Sequence, residues 1–267
     1  MDTVIELVSQ DARSTIVRLT TETPQSSPPP AAFWHNAVPI TDPRRGYLQQ
    51  FDGERLAEWA TRRRTSLRLL VRPGDYVFPG APIALMTPAV EGAEAAIRGA
   101  TALGRQRGSP ADLEFAIRQM VEVAVRALSP GINDPHTAIS VLDRLASALC
   151  EIAPVYLPSG VWLHDNWPVL VVPSIDYDGI VDTMFHMIRQ SAAGSAAVLI
   201  RMIEVLTAVR TCEHDTGRGQ TLQRHADLLL GDAERSISTP ADFDDIRKRH
   251  ADFMSVVTHP RRLGRSR

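Results

Sequence analysis

Lysine is almost missing from this chain of 267 residues: Lys248 is the only one. No residue before it can therefore carry a prosthetic group through a lysine amide. Cysteine is nearly as scarce, with only Cys150 and Cys212. Two thiols inside or beside predicted helices imply no disulfide framework, and a reducing compartment is the simpler reading. Charge of one sign is not in excess: the formal net charge is −2, so nothing points to nucleic acid or another charged polymer as partner. No apolar run reaches the roughly 18 residues that would mark a bilayer span. The most apolar window, 196–209, is broken by Arg201 and Glu204 and reads as a buried helix. The start, MDTVIELVSQ, lacks the basic region and continuous apolar core of a signal peptide.

What remains is ordinary for a chain able to bury a core: 44% hydrophobic and 22% charged residues. Residues 3–20 carry a patchy amphipathic pattern through Val4, Ile5, Val8, Ile16 and Leu19. TTETPQSSPPP, ending at Pro30, is a linker, because consecutive prolines favour extended polyproline geometry. Strand-like segments follow at 46–51 and 67–71, with a short helix between them capped by Asp52. Two Pro-Gly turns then flank a short extended piece before the strand-like 83–86.

From Ser109, with Pro110 and Asp112 completing a near capping box, the pattern becomes helical. Leu113, Ile117, Met120, Val121, Ala124 and Leu128 define one apolar face. Glu114, Arg118, Glu122 and Arg126 form an i,i+4 ladder beside it, each pair contributing about 0.2–0.5 kcal/mol when solvated. Pro130 and Gly131 stop this helix, and Asp134 with Pro135 starts the next. A β-hairpin is expected over 161–172 around Asp165-Asn166. Further helices are expected near 180–188, 196–210, 220–237 and 239–257. The predicted fold is α+β: a small β-barrel or sandwich-like domain, then a mainly α-helical domain with an inserted β-hairpin. The expected divisions are 1–30 (helix and linker), 31–88 (β-rich), 89–258 (helical) and a basic tail, 259–267.

Gly46-Tyr-Leu-Gln49, the run LRLLVRPGD at 67–75 and ALSPGINDPHTA at 127–138 together resemble the domain-of-unknown-function 2254 family of predicted bacterial membrane proteins. One departure is Ala116, where the family tends to have glycine. The resemblance implies a membrane-associated protein whose transmembrane helices precede this region. The chain would then be a soluble portion, on the cytoplasmic side. Separately, PGDYVFPGAPI at 73–83 resembles the turn-and-strand signature of barrel-sandwich hybrid domains. Those carriers need an exposed lysine, so the absence of lysine leaves only a structural, adaptor-like reading.

Two functional readings follow. The first is a non-enzymatic sensory, gating or scaffold module that self-associates as a homo-oligomer, with no cofactor. The second places a small ligand or ion, with hydrolysis as one outcome, at the helix break Ser129–Thr137. Its candidate binding residues are Arg126, Ser129, Asn133, Asp134 and His136. Helix N-terminal amides and Arg126 suit an anion, although Asp134 competes for the same amides. Asp134, Asn133 and turn carbonyls suit a cation. Ser129, His136 and Asp143 could make a triad on paper, but no nucleophile elbow supports it. Cys212-Glu-His-Asp215 concentrates ligand types, yet consecutive residues rarely face one ion. No HExxH, CxxC or histidine pair at helical spacing occurs, so neither a metal site nor catalytic residues are expected.

Overall fold

A computed structural model describes residues 2–107 and 113–258. Expected features at Ser109, Pro110, Asp112 and the basic tail lie outside them. In chain order the elements are α1 (Asp2–Leu19), a short 3-10 turn (Ala31–Trp34), β1 (Val38–Thr41), β2 (Gly46–Phe51), α2 (Gly53–Arg63), β3 (Ser66–Leu69), β4 (Tyr76–Val77) and β5 (Pro82–Thr87). There follow α3 (Ala93–Ala100), β6 (Thr101–Gly104), α4 (Leu113–Ala127), α5 (Pro135–Ile152), β7 (Val161–His164) and β8 (Trp167–Val171). The chain continues with α6 (Tyr177–Ser191), α7 (Ala196–Cys212), α8 (Thr216–Ser236) and α9 (Pro240–Thr258). These elements form two compact units. The sheet unit comprises Thr23–Phe115 and Tyr156–Asp176; the helical unit comprises Met1–Glu22, Ala116–Val155 and Tyr177–Arg267.

The sheet unit contains two open sheets, and no closed barrel forms among the described residues. One is five-stranded, in the order β1-β5-β3-β8-β7; the other is three-stranded, in the order β4-β2-β6. The expected hairpin is present, and both turn residues, Asp165 and Asn166, have positive φ, as a two-residue hairpin turn of this kind requires. Its strand β8 pairs in parallel with β3, so the hairpin extends the five-stranded sheet instead of standing among helices. Ser66 Oγ fastens the pairing, donating to Pro168 O at 2.6 Å and accepting from Trp167 Nε1 at 3.0 Å. At the hairpin's other end, Gly160 has φ +70°, and a Cβ there would lie 2.0 Å from Val172 O. Only glycine fits that approach.

Asp52 starts α2 by accepting from Arg55 N at 3.0 Å, as expected. Leu56, Ala57 and Ala60 of that helix are buried in a core with Leu67, Leu69, Ile83 and Leu170. The segment 93–104, where the sequence pattern marks no element, forms α3 and β6, and β6 pairs with β2. Asp42 sits nearly enclosed below this region, held by Arg44, whose Nη2 donates to it at 2.7 Å. Burial alone would raise the Asp42 carboxyl; the side-chain and backbone hydrogen bonds from Arg44 outweigh it and hold the group below its ordinary value.

In the helical unit α7 is apolar on nearly every side, with Val198, Leu199, Met202, Ile203, Val205, Leu206 and Val209 buried. A helix of that composition belongs inside, and α7 packs against α5, α8 and α9. The core face of α5 is formed by Ala138, Val141, Leu142, Leu145, Leu149 and Ile152. Truncating one such leucine to alanine costs about 2–5 kcal/mol. Ion pairs join α1 to α5: Arg13 meets Glu151 at 2.7 Å and Glu6 meets Arg144 at 3.4 Å.

Candidate functional site

The helix break 128–134 is closed by its own hydrogen bonds. Ser129 Oγ donates to Arg126 O at 2.7 Å, while Ser129 O accepts from Ile132 N and Asn133 N. Asp134 N donates to Ala127 O at 2.8 Å. The Asp134 carboxylate caps α5, accepting from Thr137 N at 3.2 Å and from Thr137 Oγ1 at 2.6 Å. Those two bonds, the hydroxyl first, hold its carboxyl below the usual carboxylate value. Asn133 takes a left-handed conformation at φ +47°, which asparagine tolerates, and is exposed. His136 is also exposed, and the Arg126 guanidinium pairs with Glu122 one turn back. Arg126, Ser129, Asn133, Asp134 and His136 thus line one joint, with Ser129 and Asp134 both bonded within it.

Other groups singled out by sequence are also held structurally. Asp143 accepts from Arg201 at 2.7 Å, placing it in an ion pair. At the start of the charge ladder, Glu114 is buried and pairs with Arg72. Asp215 caps α8 by accepting from Arg218 N at 2.9 Å, and Glu213 accepts from Asp215 N at 2.9 Å. Burial, then neighbouring Cys212, pushes the Cys150 thiol up to about 12, so it is not a nucleophile at neutral pH.

One titratable cluster in the helical unit lies apart from the residues that the sequence pattern marks. Asp182 and His186 lie one turn apart on α6, and His225 reaches them from α8. Asp182 Oδ1 lies 2.8 Å from His225 Nε2, 3.1 Å from His186 Nε2 and 2.7 Å from Arg224 Nη2. Among the described residues this is the single group whose three ligand-type atoms all lie within 4.8 Å of one another.

His225 is fully enclosed, whereas the side chains of Asp182 and His186 are about one-third exposed. Burial lowers the His225 imidazole to about 4 despite the hydrogen bond it donates to Asp182, so it is neutral at pH 7. Asp182 feels burial in the opposite direction, but bonds from Arg224 and His225 outweigh it and keep the carboxylate charged. With Nε2 facing a carboxylate, the ring proton sits there; Nδ1 is buried without a hydrogen-bond partner. Arg224 also lines a groove of about 570 Å³ along α8, with Gln220, Gln223, Asp227 and Leu228. The sequence signal was half visible, as Asp182-x-x-x-His186 on a helical pattern. The third member, 39 residues beyond His186, is supplied by packing of α8 on α6.

Among the described residues, no helix is long and apolar enough to cross a membrane. Proteins described as uncharacterized in Mycobacterium tuberculosis and Mycobacterium bovis are each 30% identical to the chain over 247 residues, which is 90% of this chain and 46% of theirs. The chain therefore spans about half the length of the curated relatives it matches. No solved structure matches it. Residues 1–208 match the family described as predicted membrane protein (DUF2254), and the chain belongs to that family.

Proposed function

We propose that this chain is an extramembrane, non-catalytic module of a DUF2254 membrane protein, associating with a second copy and serving a scaffold, gating or sensory role. The observation that carries this reading is the pairing of a membrane-protein family with described residues that contain no spanning helix. On this reading, the portion of the relatives matched by the chain lies outside their bilayer-spanning part. The two free cysteines support the cytoplasmic side.

Self-association is supported by three rings in the sheet unit. Tyr76 lies 5.1 Å from Tyr47 and 5.0 Å from Phe78, and Phe78 is 64% exposed. Clustered aromatics of which Tyr76 and Phe78 are exposed suit the core of an interface. In light scattering across a wide concentration range, the chain should form a dimer or higher oligomer, and Phe78→Ser should weaken it. A strict monomer throughout would refute self-association. The bonds within the break 129–137 are those of a helix joint, and no observation favours the other reading, a ligand or ion at Ser129–Thr137.

A further inference from the structure

We propose that Asp182, His186 and His225 form a binding site for a divalent transition ion of the zinc class, with a water completing the coordination. The donor set is two imidazoles and one carboxylate, a combination used for such ions where a coordination position stays open. Zinc–nitrogen and zinc–oxygen bonds of about 2.0–2.2 Å put tetrahedral ligand atoms roughly 3.3–3.5 Å apart. The two measured separations are 2.8 and 3.1 Å, and all three atoms fall within 4.8 Å. Small side-chain adjustments therefore suffice.

Three further features point the same way. The burial of His225 keeps its imidazole neutral, the form that can donate a lone pair to a metal. The partly exposed Asp182 and His186 leave an approach from solvent. Nδ1 of His225 has no hydrogen-bond partner, so it can take the ring proton without displacing a donor, which leaves Nε2 free for the ion.

Ion binding requires two changes. The His225 ring proton moves from Nε2 to Nδ1, freeing the Nε2 lone pair, and no proton need leave the protein. The Arg224 guanidinium leaves Asp182 Oδ1, which its 42% exposure permits. Arg224 is thus a competitor for the ion's place, so its removal should strengthen binding. A purely structural role for Arg224 does not predict that result.

The test uses the whole chain, stripped with chelator and titrated with zinc by calorimetry and with cobalt by visible absorption. The expected result is one ion per chain, with the visible bands of four-coordinate cobalt and no intense near-ultraviolet band from thiolate ligation. Asp182→Asn and His186→Asn should each weaken binding by roughly tenfold or more, a loss of about 1.4 kcal/mol or greater. Arg224→Leu should bind more tightly than the wild type. His186 and Arg224 are both partly exposed, so these variants should fold even if replacement of His225 does not. Absence of stoichiometric binding in both wild type and Arg224→Leu would overturn the proposal. Wild-type affinity in both Asp182→Asn and His186→Asn would do the same, as would a cobalt–thiolate band, which would place the ion at Cys150 or Cys212.

Discussion

Arg218 joins the start of α8 to the end of α5, and its removal gives the most demanding test of how the helical unit is held. Its guanidinium donates to three backbone carbonyls, Ile152 O at 3.2 Å, Ala153 O at 3.4 Å and Val155 O at 3.1 Å. These are carbonyls at a helix end, which have no acceptor role within the helix. The same group lies 5.0 Å above the Tyr177 ring and 3.5 Å from the Glu213 carboxylate, whose side chain is only 1% exposed. Glu213 Oε1 is occupied by Asp215 N, while Oε2 has no hydrogen-bond partner, so Arg218 is its main compensating charge.

Arg218→Ala leaves that carboxylate buried without a counterion. Breaking such a pair costs about 3–5 kcal/mol. The freed carbonyls regain some water, so their loss adds only about 1 kcal/mol. A total of about 4–6 kcal/mol is expected, read as a lower urea midpoint in far-ultraviolet circular dichroism. Adding Glu213→Gln should recover about 1–3 kcal/mol, because it removes the stranded charge. Arg218→Lys should fall between wild type and alanine, since lysine retains the charge but lacks the planar fork. A cost below about 1 kcal/mol for Arg218→Ala, or strict additivity with Glu213→Gln, would refute this account.

Further outcomes follow from the same structure. Asp134→Ser should leave the unfolding midpoint unchanged, because serine also caps, whereas Asp134→Ala should lower it; a midpoint unmoved by either would remove the cap from the explanation. Gly160→Ala should cost at least about 2 kcal/mol through left-handed strain and the close Val172 carbonyl, and an unchanged melting temperature would contradict the approach described there. Acid should weaken the sheet unit through Asp42. Its folded carboxyl lies below the ordinary value of 3.8, so the stabilisation is full above that value and is lost as pH falls through the folded one. Arg44→Gln should reduce the stability at neutral pH and flatten this acid limb. Fluorescence of Trp34, Trp59, Trp162 and Trp167 can follow it, because all four tryptophans belong to the sheet unit.

Local chemistry was legible where one short segment contained its own cause. Asp52 and Asp134 announced helix starts by residue type, and Asp165-Asn166 announced the hairpin turn. The high apolarity of 196–209, despite the breaks at Arg201 and Glu204, placed α7 inside. By contrast, the alanine-rich 93–104 has too short and uniform a pattern to separate α3 from β6. The pairing of β8 with β3 depends on a partner about a hundred residues away, so no local period encodes it. The Asp182 cluster failed to stand out for the same reason: two ligands share a helical turn, and the third comes from another helix. At Glu114 the ladder pattern suggested a wet surface, but Arg72, 42 residues earlier, turns that position into a buried pair.

The interleaving of the two units has a consequence for how the molecule can be made. A ribosome delivers α1 before the other elements described, yet α1 meets α5 only after the intervening stretch that belongs mostly to the sheet unit. β3 must wait for β8, and α5 for α7. Neither unit can therefore finish as an early, self-contained product of translation: the sheet unit is complete only once residue 176 has emerged, and the helical unit later still. Such long-range closure slows folding and leaves β3 without its β8 neighbour during synthesis. No single cut separates the two units either, so obtaining each by itself requires rejoining chain segments in a new order.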